Sequence, residues 1–357
     1  MVRKAGTGHD PKGEQHERRH RDPLGTGCTG TRGEGHGGVR CGGRALRGAG
    51  EAGPDPRPPR VREHLAQRRH VEDVLHARAE RLDDHGERRV LERDFHQLLR
   101  AQPLREQRRA LYWWQPKNGE VNVGDYLSKV TVEAMLALRD LDLLEKRDKR
   151  RRLFAIGSVL HNARDGETVW GSGINGKIPQ AQHRFRDLDV RAVRGPLTRQ
   201  TLMERGIQVP EVYGDPALLM PLLFRKELID TAKRHPFVVI PHFNEPPEKY
   251  AAYRQQLVLP TAKPLAFVAA LLGAEKVVSS SLHGVILAEA YGIPAVYLDS
   301  GNGEHQFKYD DYYQGTGREK WHSGRSVEEC LDLGGTARFD LESLQTLLIQ
   351  AFPYDLW

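Results

Sequence analysis

The stretch KVVSSSLHGVILAEAYGIPAVYLDS, residues 276–300, decides how this chain folds. Val277 and Val278 open a β-branched run of the kind that sits in a buried strand. Three serines break the run. Val285, Ile286, Leu287 and Ala290 then return at helical spacing, Gly292 stops the helix, and Ala295 to Leu298 form a second apolar run behind Pro294. Strand, turn, helix, stop and strand follow in that order. A helix inserted between two strands carries the chain back across the sheet, so the second strand is expected to run parallel to the first.

The same alternation extends outward from this unit. RALYWWQ (109–115) reads as a strand, NVGD (122–125) as a turn and YLSKVTVEAMLAL (126–138) as an amphipathic helix. RLFAIGSVL (152–160), ETVWGSGI (167–174) and DLDVRAVRGP (187–196) are further strands, the last running into the helix LTRQTLMERG (197–206). PEVYGDP (210–216) is a short strand ending in Asp215 and Pro216, with the proline fit to open a helix. The pattern restarts at PFVVIPHF (236–243), and EKYAAYRQQL (248–257) and PLAFVAALLGA (264–274) are helices that precede the opening stretch. The expected fold class is α/β, with two Rossmann-like, doubly wound domains in tandem over 109–230 and 231–340. A C-terminal helix over 341–357 is placed to pack back across the first half.

Residues 1–108 are different. No Ile precedes Ile156, no Asn precedes Asn118 and no Tyr precedes Tyr112, while Arg, Gly, His and Pro abound. A low-complexity, Arg/Gly/His-rich extension of this kind is expected to be disordered, because it cannot bury enough apolar surface to order itself. A charged helix over Val61 to Leu104 is the one element it offers. The absence of residues with A/T-rich codons suggests a spurious upstream extension from a misplaced start codon in GC-rich DNA; the rival is a genuine basic tail for nucleic acid or anionic lipid.

The chain carries a net charge of +6, with 24 Lys and Arg against 17 Asp and Glu up to Arg109 and 30 against 31 beyond it. The part that bears chemistry is therefore not basic, and a nucleic-acid partner is not expected. Three cysteines give no disulfide framework or zinc-type spacing, so a reducing cytoplasm is the expected compartment. No apolar run reaches the ~18 residues of a membrane span.

In open parallel sheets ligands bind beyond the carboxyl ends of the strands. That rule selects Asn122, Gly124, Asp125, Ser158, Ser172, Arg194, Asp215, His242, Ser279, Ser280, Ser281 and His283. The serines precede a helix N-terminus, where hydroxyls and free N–H groups can hold a phosphate or carboxylate; the plain alternative is that Ser281 caps the helix. His283, in the first turn, can give or take a proton near neutral pH. Arg194 can grip an anion with two parallel hydrogen bonds, or stand in a surface ion pair. Asp125 reads as a helix cap or a base, Asp215 mainly as a cap, and His242 as a proton carrier beyond its strand. WGSGIN (170–175), which holds Ser172, is a glycine turn for close backbone approach, and it matches neither the dinucleotide fingerprint nor a P-loop.

Taken together, NVGDYL, FAIGSVL, VWGSGIN, VRAVRGPLTRQTLMERGI, VYGDPALLMP, VIPHF and VVSSSLHGVILAEAYGIPAVYLD resemble, in order and spacing, the polysaccharide pyruvyl transferases, in particular the bacterial exopolysaccharide ketal-pyruvate transferases. The resemblance covers about residues 110–335. It implies a glycosyltransferase-B-like enzyme that takes pyruvate from phosphoenolpyruvate and closes a cyclic ketal across two sugar hydroxyls, with no metal or cofactor. It implies a donor site at Arg194 and at Ser279 to His283, where Ser281 stands in place of the family's arginine. Lys308, Arg318 and Arg325 are the candidates to supply the missing charge. The expected roles are catalytic for His283, Asp125 and His242, and substrate-binding for Arg194, Ser279, Ser280, Ser281, Asn122, Gly124, Ser172 and Lys308. A lipid-linked oligosaccharide acceptor would place the work at the cytoplasmic face of the membrane, by peripheral contact. Two other readings stay open: a nucleotide-sugar-dependent glycosyltransferase of the same architecture, and a non-catalytic carbohydrate- or nucleic-acid-binding protein.

Overall fold

The computed structural model describes residues 104–229, 235–303, 306–335 and 338–357, so the expected extension lies outside the described residues up to position 103. The first half opens with α1 (Leu104–Ala110), which runs directly into β1 (Leu111–Tyr112). It continues through α2 (Val123–Ala137), β2 (Leu153–Phe154), β3 (Glu167–Trp170), β4 (Leu188–Ala192), α3 (Pro196–Met203) and the one-turn α4 (Met220–Leu223). The second half comprises β5 (Val238–Ile240), α5 (Pro264–Leu272), β6 (Val277–Ser279), α6 (Leu282–Ala290), β7 (Ala295–Leu298), α7 (Phe307–Gly315), β8 (Ser323–Gly324) and α8 (Val327–Asp332). The chain closes with α9 (Leu341–Gln350).

Each half holds a four-stranded, wholly parallel sheet, β1-β2-β3-β4 and β5-β6-β7-β8. The opening stretch folds as its pattern demands: β6, α6 and β7, with Val277 paired to Ala295. Doubly wound topology appears in the second sheet alone. There Val239 bridges Leu257 on one side and pairs with Val278 on the other, so the strand order reverses between β5 and β6. The first sheet runs in sequence order and is extended beyond β4 by a bridge between Val193 and Tyr213; among the described residues it has no reversal. Pro210 and Pro216, which offer no N–H to a ladder, flank that bridge and keep PEVYGDP from becoming a full strand.

Two further elements differ from their sequence pattern. Over EKYAAYRQQL the structure has a 3-10 segment, Pro247–Tyr253, broken at Tyr250 where φ is −112° and ψ is 26°. Tyr250 hydroxyl donates to Glu245 Oε1 at 2.9 Å, an anchorage that a regular helix would not supply. The span 306–325, to which the sequence pattern assigns no element, contains α7 and β8. Its helix buries Lys308, Tyr309, Asp311, Tyr312 and Tyr313, residue types that show no apolar period.

One apolar core is continuous between the halves, joining Leu111, Leu127, Trp170 and Leu218 to Val277, Ile286 and Tyr297. Helix α9 seals the first half: Trp170 Nε1 donates to Leu348 O at 2.8 Å and Gln345 Nε2 to Leu218 O at 2.7 Å. Deeper still, Arg194 and Asp311 are both fully buried and paired, with Nε and Nη2 of the arginine 3.0 and 2.9 Å from Asp311 Oδ2. Asp311 also accepts from Thr198 N at 2.8 Å and Thr198 Oγ1 at 2.7 Å. Backbone contact accompanies the pair. A Cβ at Gly195 would lie 1.7 Å from Asp311 O, and one at Gly315 would lie 2.3 Å from Arg194 O, so α7 seats against the β4-α3 turn only because both positions are glycine.

Removing one partner strands a buried charge. Asp311→Ala is expected to cost about 3–5 kcal/mol in denaturant unfolding. Pairing it with Arg194→Met should recover much of that loss, and a single-variant loss below ~1 kcal/mol would show that the clasp does not hold the halves.

Candidate active site

A cleft of about 210 Å³ lies where the carboxyl ends of the two sheets face each other. From the first half come Trp114, Asn122, Asp125, Ser158, His161, Asn175 and Lys177; from the second come His242, Phe243, Asn244, Ser281, His283 and Lys308. Most of these lie just beyond a strand. The cleft meets the second sheet at its reversal between β5 and β6, the switch point at which open α/β sheets bind ligands.

His283 enters from the first turn of α6, its side chain 14 % exposed. Gly124, at the start of α2, makes room for it: a Cβ there would lie 2.2 Å from His283 Nδ1. On the other side of the ring, Nε2 stands 3.7 Å from Asp215 Oδ2, and neither atom has a hydrogen-bond partner. Asp215 is fully buried and its Oδ1 accepts from Ala217 N at 3.0 Å, so it caps the turn Pro216–Leu219 as expected. Its second oxygen has a different use. An anion facing Nε2 favours the ring proton there and leaves Nδ1 as the nitrogen with the free lone pair.

Asp125 is buried beside this pair, and it is not the cap of α2; Asn122 holds the N-cap position and donates from Nδ2 to Asp125 Oδ2 at 2.6 Å. Burial pushes the Asp125 carboxyl up to about 6, against smaller downward pulls from His283, the Asn122 hydrogen bond and Lys308. The wall opposite is set by the serines, which are not equivalent. Ser279 Oγ bonds Ile240 O and Ser281 O, both at 2.9 Å, and Ser280 Oγ donates to Glu245; both side chains are fully buried. Ser281 alone lines the cleft, and its hydroxyl makes no cap hydrogen bond. Behind them, burial pushes the Glu245 carboxyl up, but hydrogen bonds from Lys249, Ser280 and His242 N outweigh it and hold the group at about 2. This carboxylate pins the loop that presents His242, whose Nδ1 accepts from Asn244 N at 3.2 Å and whose ring proton therefore sits on Nε2.

Of the three cations that could replace the family's arginine at position 281, Lys308 reaches the cleft. It rides on α7, with its Nζ 5.2 Å from the Tyr309 ring centre, and Tyr309 hydroxyl donates to Ser280 O at 2.9 Å to fix that helix against β6. Arg318 is held by Glu289 through two bonds of 2.8 and 2.7 Å, and Arg325 is exposed away from the cleft. Arg194 and Ser172 lie behind the cleft surface. Arg194 Nη1 donates to Ser158 Oγ, which does line the cleft, and Nη2 donates to Ile174 O at 2.6 Å; Ser172 Oγ donates to Gly157 O at 2.8 Å. The sequence filter missed His161, Asn175 and Lys177, which sit a few residues past the strand ends it sampled. It also missed the Trp114 and Phe243 rings, which meet edge to face with centres 5.5 Å apart.

The family model for polysaccharide pyruvyl transferases matches residues 122–302. The chain belongs to this family. The matched span runs from the N-cap of α2 to just past β7, and so includes Asp125, Asp215, His242, Ser281 and His283. The chain is also similar to the succinoglycan biosynthesis protein ExoV of Rhizobium meliloti (strain 1021), at 27 % identity over 218 residues, 58 % of this chain and 64 % of that protein. It thus matches less than two thirds of that relative's length. No solved structure matches the chain.

Two measurements follow. Asp215→Asn keeps the oxygen that caps Ala217 but removes the anion from Nε2, so nitrogen-15 shifts of the His283 ring should move from the Nε2–H tautomer toward a mixture. An unchanged ring would deny Asp215 its positioning role. For Asp125 the folded-state value, about 6 against an ordinary carboxyl value of 3.8, lies above the unfolded one. The folded state then binds the extra proton between these values, so its contribution is full below pH 3.8 and is lost as pH rises through about 6. Relative to Asp125→Asn, the parent should lose on the order of 2–3 kcal/mol across that window in pH-dependent unfolding.

Proposed function

We propose that this chain transfers the pyruvyl group of phosphoenolpyruvate onto two hydroxyls of a sugar in an exopolysaccharide unit and closes a cyclic ketal. One observation carries the reading: His283, backed by Asp215, shares a cleft with an Asp125 that titrates near pH 6 and with Lys308. Family membership and a relative named for succinoglycan biosynthesis support it. We take the two facing sheets as a glycosyltransferase-B-like arrangement. The acceptor would be lipid-linked, and the work would be done at the cytoplasmic face of the membrane.

Phosphoenolpyruvate brings a carboxylate and a phosphate. Lys308, Ser281 and the free N–H groups at the start of α6 are the donors for one of them, and Lys177 stands on the opposite wall. In the first step a sugar hydroxyl adds to C2 while Asp125 takes its proton. His283 gives a proton to the methylene carbon, which becomes the methyl group. In the second step the other hydroxyl attacks C2, the C–O bond to phosphate breaks, and inorganic phosphate leaves. The proton held by Asp125 returns to His283, which restores both groups, and the proton of the second hydroxyl leaves through His242. Over one turnover one hydroxyl proton is balanced in the methyl group and the other leaves with phosphate or solvent.

Thermal unfolding tests the donor. Millimolar phosphoenolpyruvate at about a hundredfold excess over its Kd should raise Tm by roughly 5 °C, while UDP should not. Lys308→Ala should abolish the shift. A shift with UDP and none with phosphoenolpyruvate would move the chain to the nucleotide-sugar enzymes.

A further inference from the structure

The first-half lip of the cleft continues into a basic surface. His161 borders both the cleft and a neighbouring hollow that holds Arg164 and Arg184. Asn162 and Arg164 in turn border a second hollow, lined by Arg108, Arg109, Lys149 and Arg150. The second hollow also holds the carboxylate of Glu167, whose side chain is 3 % exposed and gripped by Arg152 Nε at 2.5 Å. Asp148 lies 3.6 Å from both Arg150 and Arg151 and offsets part of their charge, yet those side chains remain 95 % and 63 % exposed. Lys149, Arg150, Arg164 and Arg184 belong to the part of the chain after Arg109, which holds 30 cationic and 31 anionic residues, so their concentration is a local segregation of charge.

The form of the surface selects its partner. Among the described residues no buried donor without a partner borders either hollow, so neither is built to hold a single phosphate. Exposed, spread guanidinium groups suit an extended array of anions instead. Single-stranded nucleic acid would need aromatic platforms. The aromatic ring of the second hollow, Tyr112, is already stacked on Phe154 with centres 4.8 Å apart and lies under Arg152. No helix among the described residues is long and apolar enough to cross a membrane. We propose that this face rests on a bilayer rich in anionic phospholipid, which sets the cleft at the membrane surface, where a substrate carried by lipid would be presented. The surface is argued from charge and geometry, and the lipid-carried substrate rests on the function proposed above.

Co-sedimentation of the full chain with vesicles tests it, comparing phosphatidylcholine alone with phosphatidylcholine carrying about one third phosphatidylglycerol. The expected result is binding to the anionic vesicles alone, weakened by high salt and lowered about tenfold or more by the triple variant Lys149→Glu, Arg150→Glu, Arg164→Glu. All three side chains are exposed, so Tm should not change. Binding that survives the triple substitution would assign it to the basic residues before position 104 and overturn the inference. Failure to bind anionic vesicles, or binding of a single-stranded RNA in their place that the same substitutions remove, would also overturn it.

Discussion

A guanidinium and a carboxylate, both without solvent access, hold the two halves of this protein in register. Arg194 ends a strand of the first sheet and Asp311 sits in the helix after the last long strand of the second. Their pairing would cost more than it returns if either were left alone, which makes the joint all-or-none. Its consequence reaches the cleft by two short routes. Arg194 orients Ser158 on one wall, and the helix that bears Asp311 carries Lys308 on the other. Relative placement of the walls is thus set behind the site, by groups that need not touch a ligand.

In and behind the cleft, three carboxylates in similar burial are given different roles by their neighbours. Glu245 collects hydrogen bonds and stays ionised, which suits a group that fixes a loop. Asp125 has one hydrogen bond and much burial, so it changes protonation near neutral pH, which suits a base. Asp215 uses one oxygen as a helix cap and aims the other at His283. Environment, rather than residue type, divides the labour.

Much of the architecture was legible because it depends on local pattern. The β-branched run, the helical spacing and Gly292 in 276–300 suffice to give two parallel strands and their crossover, and the strand-end rule then finds Asp125, His242, Ser281 and His283. Helix α7 was not legible, because Tyr309, Tyr312 and Tyr313 bury polar-tipped rings and Asp311 buries a charge whose partner lies 117 residues away. The three serines look alike in sequence. Only the tertiary bonds of Ser279 and Ser280 to the strand end and to Glu245 show that Ser281 is the one that lines the cleft. Arg194 stood at the right strand end for an anion site, and its buried partner could not be read from spacing.

A crystal structure of the protein soaked with phosphoenolpyruvate would test the central claim most directly. The account predicts the donor in the cleft, one anionic group at Lys308, Ser281 and the start of α6, and the methylene carbon within reach of the His283 ring. Density for phosphoenolpyruvate away from His283, or a cleft that binds a nucleoside diphosphate and refuses phosphoenolpyruvate, would contradict it.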